Sequence, residues 1–194
     1  WAIFAGFAFY MWYRLARDAW EKEVEALDVM VKAVVVLTHA AAGAMVARGR
    51  GAIINVSSVA SFLASGTYSA AKSYVTVFSE SIAAQLHGTG VTVTALMPGW
   101  VRTEFHARAG ISGSSIPDFL WLQADDLVEE ALKDLARGRV VSIPTLRYKA
   151  IMLGAKLAPR AVVRKCSGML MGSRANETPL AKPAASGSTS RRRA

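Results

Sequence analysis

The chain has 194 residues, 53% hydrophobic and 19% charged, which suits one domain with a sizeable core and excludes disorder throughout. A single cysteine, Cys166, excludes an internal disulfide, and with only three His it argues against a cysteine- or histidine-based metal site. The net charge of +9 is concentrated in residues 141–194, which hold eleven Lys/Arg and one acid, so any nucleic-acid or anionic-surface reading rests on that part alone.

Trp1 to Tyr13 (WAIFAGFAFYMWY) is apolar or small throughout. It is too short to cross a bilayer, which takes about 20 residues. It reads as a buried strand and loop, with the end of a longer transmembrane or targeting segment as the alternative. Asp18 to Arg48 reads as a long helix, in one or two pieces, with acids at its start and Arg48 near its end to suit the macrodipole. Gly49, Arg50 and Gly51 stop it. Ala52 to Val56 (AIINV) is a short, β-branched apolar run, the pattern of a buried parallel strand. Ser57 to Thr67 is a loop of small residues, and Tyr68 to Leu86 is helical in pattern. Val91 to Leu96 (VTVTAL) is a second strand. A loop runs from Pro98 to about Pro117, Asp125 to Ala136 is an amphipathic helix, and Val140 to Ile143 is a third strand.

This alternation predicts an α/β fold with a parallel sheet, in which ligands sit beyond the carboxyl ends of the strands. Ser57 and Ser58 follow one strand end, and Pro98 and Gly99 follow another, so two polar loops share one rim. From Arg147 onward, apolar and basic residues mix at near-helical spacing. That stretch fits a basic amphipathic helix on a membrane surface, or equally a helix packed on the domain with its cations in water. Ala175 to Ala194 has the composition of a disordered tail. The division expected is 1–165 as the folded domain and 166–194 as a basic tail.

Tyr68 and Lys72 are four apart near the start of a helix and so share a face. A lysine ammonium beside a phenol stabilises the phenolate, and such a Tyr can hand a proton to a carbonyl oxygen as hydride reaches the carbon. Ser58 lies ten residues earlier, where its hydroxyl can bond the same oxygen. The pair alone reads more readily as a surface Tyr and Lys on a helix. His39, His87 and His106 need no special role, and Trp100, Phe119 and Trp121 read as core or as pocket lining. The Trp residues form no stripe interleaved with basic side chains, which argues against nucleic acid.

The order and spacing of GAIINVSSVA, YSAAK and VTVTALMPGWVRTEF resemble the short-chain dehydrogenase/reductase family, over about residues 18–165. The resemblance implies a Rossmann-like, doubly wound parallel sheet and an oxidoreductase using NAD or NADP on a carbonyl or secondary alcohol. It implies that Ser58, Tyr68 and Lys72 are catalytic and that Tyr68 and Lys72 also contact the cofactor, Lys72 at the nicotinamide ribose. It implies further cofactor contacts from Pro98, Gly99, Val101 and Thr103, and homo-oligomers packed through the helices of 18–48 and 68–86.

The sequence also departs from the family pattern. No TGxxxGxG turn is present in these residues, so at least two βα units of the family fold have no counterpart, on the order of 60 residues or more. The family's NNAG segment is matched by Ile3, Phe4, Ala5 and Gly6. The family's catalytic Asn is matched by Met30, whose thioether offers no amide donor. A catalytically dead chain, acting as a binding or membrane-surface protein, is the alternative. IPDFLW, RVVSIPTLRYKAIM and LAPRAVV resemble actinobacterial long-chain 3-oxoacyl, mycolate-type reductases, which implies a lipid substrate. A cytoplasmic location, peripheral at the membrane if the basic part binds lipid, is the expectation.

Overall fold

The computed structural model describes residues 2–102 and 117–172. Helix α1 (Ala2–Leu27) passes through a π-helical turn (Asp28–Lys32) into α2 (Ala33–Ala47). The expectation of a strand and loop over Trp1–Tyr13 is therefore wrong. No Pro and no turn sequence separates that run from the charged helix after it, and helix propagation into a continuous stretch costs far less than a new start.

Strand β1 (Gly51–Val56) follows the Gly49 turn, and Ser57 and Ser58 lead into a 3-10 turn (Val59–Phe62). Helix α3 (Gly66–Gln85) then returns the chain to β2 (Val91–Leu96). Gly90 enters β2 at φ +80° against the Gly49 carbonyl, where a Cβ would collide with the backbone. Two short strands, β3 (Trp100–Arg102) and β4 (Trp121–Gln123), flank the 103–116 segment, with a 3-10 turn (Asp118–Leu120) before β4. Helix α4 (Ala124–Ala136), strand β5 (Val141–Ser142), helix α5 (Leu146–Leu157) and helix α6 (Arg160–Gly172) complete the described chain.

The main sheet has the order β1-β2-β5, all parallel, with Ile53 opposite Val93 and Val56 opposite Leu96. Strands β3 and β4 pair in parallel as a separate ribbon, Trp100 opposite Trp121. Alternation of side chains along β1 and β2 feeds two cores. On one face Ile53 and Val93 pack with Ala42 of α2 and Ile82 of α3. On the other, Leu96 packs with Leu127 and Ala131 of α4, with Ile54 and Val101 against them. Helices thus cover both faces, the doubly wound α/β arrangement expected from the alternation. Among the described residues β1 has β2 alone as a sheet neighbour.

The basic stretch after Arg147 forms two helices rather than one, broken at Ala158 and Pro159. Helix α6 runs across the boundary expected at 165. Its Ser167 is buried, and its hydroxyl accepts from Ala64 N–H at 3.0 Å, so the folded part extends to Gly172.

Candidate functional site

The strand ends define a rim. Ser57 N–H bonds Leu96 O at 2.7 Å and Met97 N–H bonds Ser142 O at 2.8 Å, so the parallel ladder persists one residue past β1 and β2. Ser57 and Ser58 then diverge, as adjacent residues on extended backbone must. Ser57 turns inward, its hydroxyl 2.8 Å from Lys72 O and 2.7 Å from Thr76 Oγ1. Ser58 turns toward the rim, where its Oγ accepts from Ala60 N–H at 3.1 Å and lies 3.5 Å from Pro98 O.

Helix α3 begins beside this turn, so Tyr68 and Lys72 stand one helical turn apart over the end of β1. Lys72 Nζ donates to Val56 O at 2.9 Å and lies 5.8 Å from the centre of the Tyr68 ring. Burial lowers the Lys72 pKa from the ordinary lysine value, because desolvation penalises the ammonium. The Tyr68 ring is 43% exposed, open to a ligand approaching the rim. Val59 N–H bonds Pro98 O at 3.0 Å, so the turn after β1 also grips the loop after β2. The structure therefore brings Ser58, Tyr68, Lys72 and Pro98 to one end of the sheet.

The other expected contacts fare differently. Gly99 is the position at which the Tyr148 ring abuts the backbone, and a Cβ there would overlap that ring. Val101 lies on β3 and packs toward Leu96 and Leu127. Thr103 and His106 lie outside the described residues. Met30 sits in the π turn between α1 and α2, which packs against α3. His39 meets the Phe78 ring edge-on at 5.7 Å, in keeping with a packing role. Trp100 and Trp121 are neighbours across the β3–β4 ribbon with ring centres 6.0 Å apart.

Two residues at this end escaped the sequence reading. Arg102 pairs with Asp118 at 2.6 Å and lies 5.5 Å over the Trp121 ring, bracing the ribbon. Tyr148 is buried, donates to Leu120 O at 2.6 Å and accepts from Trp100 N–H at 3.0 Å. Both act across long sequence separations, which no local pattern reports.

An ammonium offers three N–H donors, and Val56 O takes one, so Lys72 has donors to offer a ribose hydroxyl at the rim. The nicotinamide end of a dinucleotide thus fits the residues present. For the pyrophosphate the 194 residues contain no TGxxxGxG turn.

The family model described as short chain dehydrogenase matches residues 5–111. An uncharacterised oxidoreductase of Myxococcus xanthus is 34% identical over 132 residues, 66% of this chain and 50% of that protein. Sulfoacetaldehyde reductase 2 of Chromohalobacter salexigens is 35% identical over 112 residues, 53% of this chain and 44% of its own. The chain thus spans about half the length of these relatives. Among solved structures, one of a 7beta-hydroxysteroid dehydrogenase matches with a TM-score of 0.70 and 26% identity, over 77% of this chain and 60% of that one. A short-chain dehydrogenase from Sphingobium yanoikuyae in complex with NADPH matches with a TM-score of 0.55 and 27% identity, over 82% and 57%.

Proposed function

The chain belongs to the short-chain dehydrogenase family, and from that premise we propose that it carries the proton-transfer half of an NAD(P)-dependent oxidoreductase acting on a carbonyl or secondary alcohol. The observation that carries the reading is the half-buried Lys72 ammonium, tied to Val56 O and set 5.8 Å from the Tyr68 ring. The nicotinamide, when bound, supplies or accepts the hydride. Ser58 donates a hydrogen bond to the substrate oxygen and orients it. Tyr68 gives that oxygen its proton in reduction and takes it back in oxidation. Lys72 favours the phenolate of Tyr68 electrostatically and bonds the cofactor ribose. Pro98 and Gly99 border the nicotinamide, with Val101 and Thr103 further along the same segment. NADPH in the Sphingobium neighbour supports a nicotinamide cofactor without choosing between NAD and NADP here.

For the substrate we propose a bulky apolar carbonyl compound, a 3-oxoacyl lipid being one such class. The support is the aromatic surface beside the Pro98–Gly99 loop, where Trp100 faces Trp121 and Phe119 is 60% exposed. A small charged substrate would leave that surface unused.

The test is a titration of the purified chain with NADH and NADPH, followed by tryptophan quenching and energy transfer to the reduced nicotinamide. Saturable binding is expected, weakened about tenfold or more by Lys72→Ala, the loss of one charge-assisted bond. Tyr68→Phe is expected to keep binding and to lower turnover by about 10²–10⁴. A folded chain that binds neither nucleotide would overturn the proposal and leave the binding-protein alternative in its place.

A further inference from the structure

The loop after β2 is gripped from two sides. On the sheet side, Val59 N–H bonds Pro98 O at 3.0 Å. On the other side stands Tyr148, from the first turn of α5. Its ring lies directly against Gly99, so that any side chain at 99 would overlap it. Its hydroxyl bonds both the residue that opens β3, accepting from Trp100 N–H at 3.0 Å, and the residue that precedes β4, donating to Leu120 O at 2.6 Å. One phenol therefore closes the end of the β3–β4 ribbon nearest the rim. Neighbouring Arg147 donates to Phe119 O, so α5 holds the Asp118–Leu120 turn through two successive residues. Burial pushes the Tyr148 pKa up, which keeps the hydroxyl a donor through the physiological range.

We propose that Tyr148 is a positioning residue: it fixes the Pro98–Trp100 loop from beneath and so couples α5 and the β3–β4 ribbon to the site formed by Ser58, Tyr68 and Lys72. Its effect on catalysis rests on the function proposed above, whereas its grip on the loop does not. Because the hydroxyl bonds backbone atoms on both sides of the 103–116 segment, a change at Tyr148 is felt at the loop and at the aromatic surface together. Tyr148 touches neither Ser58 nor Lys72 in the bonds described, so it acts through the loop.

Tyr148→Phe in the full chain separates the two statements. It keeps the ring against Gly99 and removes both hydrogen bonds. Amide hydrogen exchange should then speed up at Trp100 by about tenfold, while Ile53 and Val93 in the sheet keep their protection. Unchanged exchange at Trp100 overturns the grip. Gly99→Ala keeps the phenol but pushes its ring and hydroxyl away from the loop, and it should speed the same amide, so the grip is still decided if the Phe variant folds poorly. For catalysis, Tyr148→Phe should raise the KM for the nicotinamide cofactor several-fold and leave kcat within about twofold. A fall in kcat with KM unmoved overturns the positioning role. If wild-type chain binds no NAD(P)H, the function proposed above fails, and the exchange measurement still decides the grip.

Discussion

Lys72 shows how one side chain ties chemistry to stability. It carries a charge into a half-buried place for the sake of Val56 O and the neighbouring Tyr68. Its folded pKa is lowered by desolvation, so the unfolded chain holds the proton more tightly. Folding is therefore penalised below the lowered value. Stability rises with pH across the window up to the ordinary lysine value of 10.5 and gains nothing more above it. Tyr148 has the opposite sign: its pKa is raised by burial, so its contribution falls as pH climbs past 10.0. The expected result is that denaturant midpoints of Lys72→Met, minus wild type, shrink steadily through that alkaline window. A difference that stays flat with pH would mean that Lys72 is solvated. Tyr68, Lys72 and Ser58 were legible in the sequence because their spacing is local, one helical turn and one strand-end loop. The two adjacent serines face opposite ways. Ser57 is committed to Lys72 O and Thr76, and Ser58 faces Pro98. Tyr148 was not legible, because its partners lie 28 and 48 residues away.

Among the elements, α2, β1 and α3 are bound by a polar chain inside an apolar face. Thr38 Oγ1 donates to Asn55 Oδ1 at 3.0 Å, and Asn55 Nδ2 donates to Ser79 Oγ at 3.0 Å. All three residues are buried, so each hydrogen bond replaces water that cannot return. The chain sits two residues before Ser57 on the same face of β1, and it sets the height of α3, hence of Lys72, against the sheet. Asn55→Ala should lower stability by on the order of 2 kcal/mol, since it strands the buried Thr38 hydroxyl and removes the donor to Ser79, whose own proton stays on Val75 O. Asn55→Asp should be no milder, because it replaces the donor to Ser79 with a buried charge. Urea unfolding followed by circular dichroism reads both, and a loss well under 1 kcal/mol for Asn55→Ala would show that the Thr38 hydroxyl finds another partner. Strands β1 and β2 were read almost to the residue, because buried parallel strands announce themselves as β-branched runs between glycines. Strands β3 and β4 are three residues each and carry no periodicity, so β3 falls inside the expected loop and nothing in the sequence marks β4. The N-terminal helix was misread because apolar composition alone does not distinguish a buried strand from a helix.

At the scale of the molecule, the apolar surface is unevenly spread. Within the helical run Tyr10–Ala47, 38 residues long, the most apolar 18-residue window has a mean hydropathy of 1.9, enough to cross a membrane by length and composition alone. Yet α2 already spends one face on the sheet, through Thr38, Ala42 and Met45. A core-facing side beside an apolar outer side is the signature of a helix covered twice, once by its own domain and once by a second surface. The outer side is continuous with α3. Val36 and Leu37 are exposed on α2, Tyr74 and Val77 on α3, and Tyr74 stacks on Phe78 with ring centres 6.0 Å apart. Self-association through this face is expected, in line with the oligomers implied by the family resemblance. Leu37 and Val77 are 68% and 61% exposed, so a charge at either leaves the cores intact. Leu37→Glu and Val77→Glu should each shift the chain to monomer in sedimentation velocity, with circular dichroism unchanged. Wild-type chain that sediments as a monomer in water would exclude this interface. Association that survives both substitutions but collapses with Trp20→Glu would move the contact to α1, where Leu15 and Trp20 stand exposed. The pairing matters for function because α3 carries Tyr68 and Lys72 on the same helix. A partner pressed on its outer face would restrain the helix whose first turns hold the residues proposed above for proton transfer, so on that proposal monomeric variants should also lose turnover.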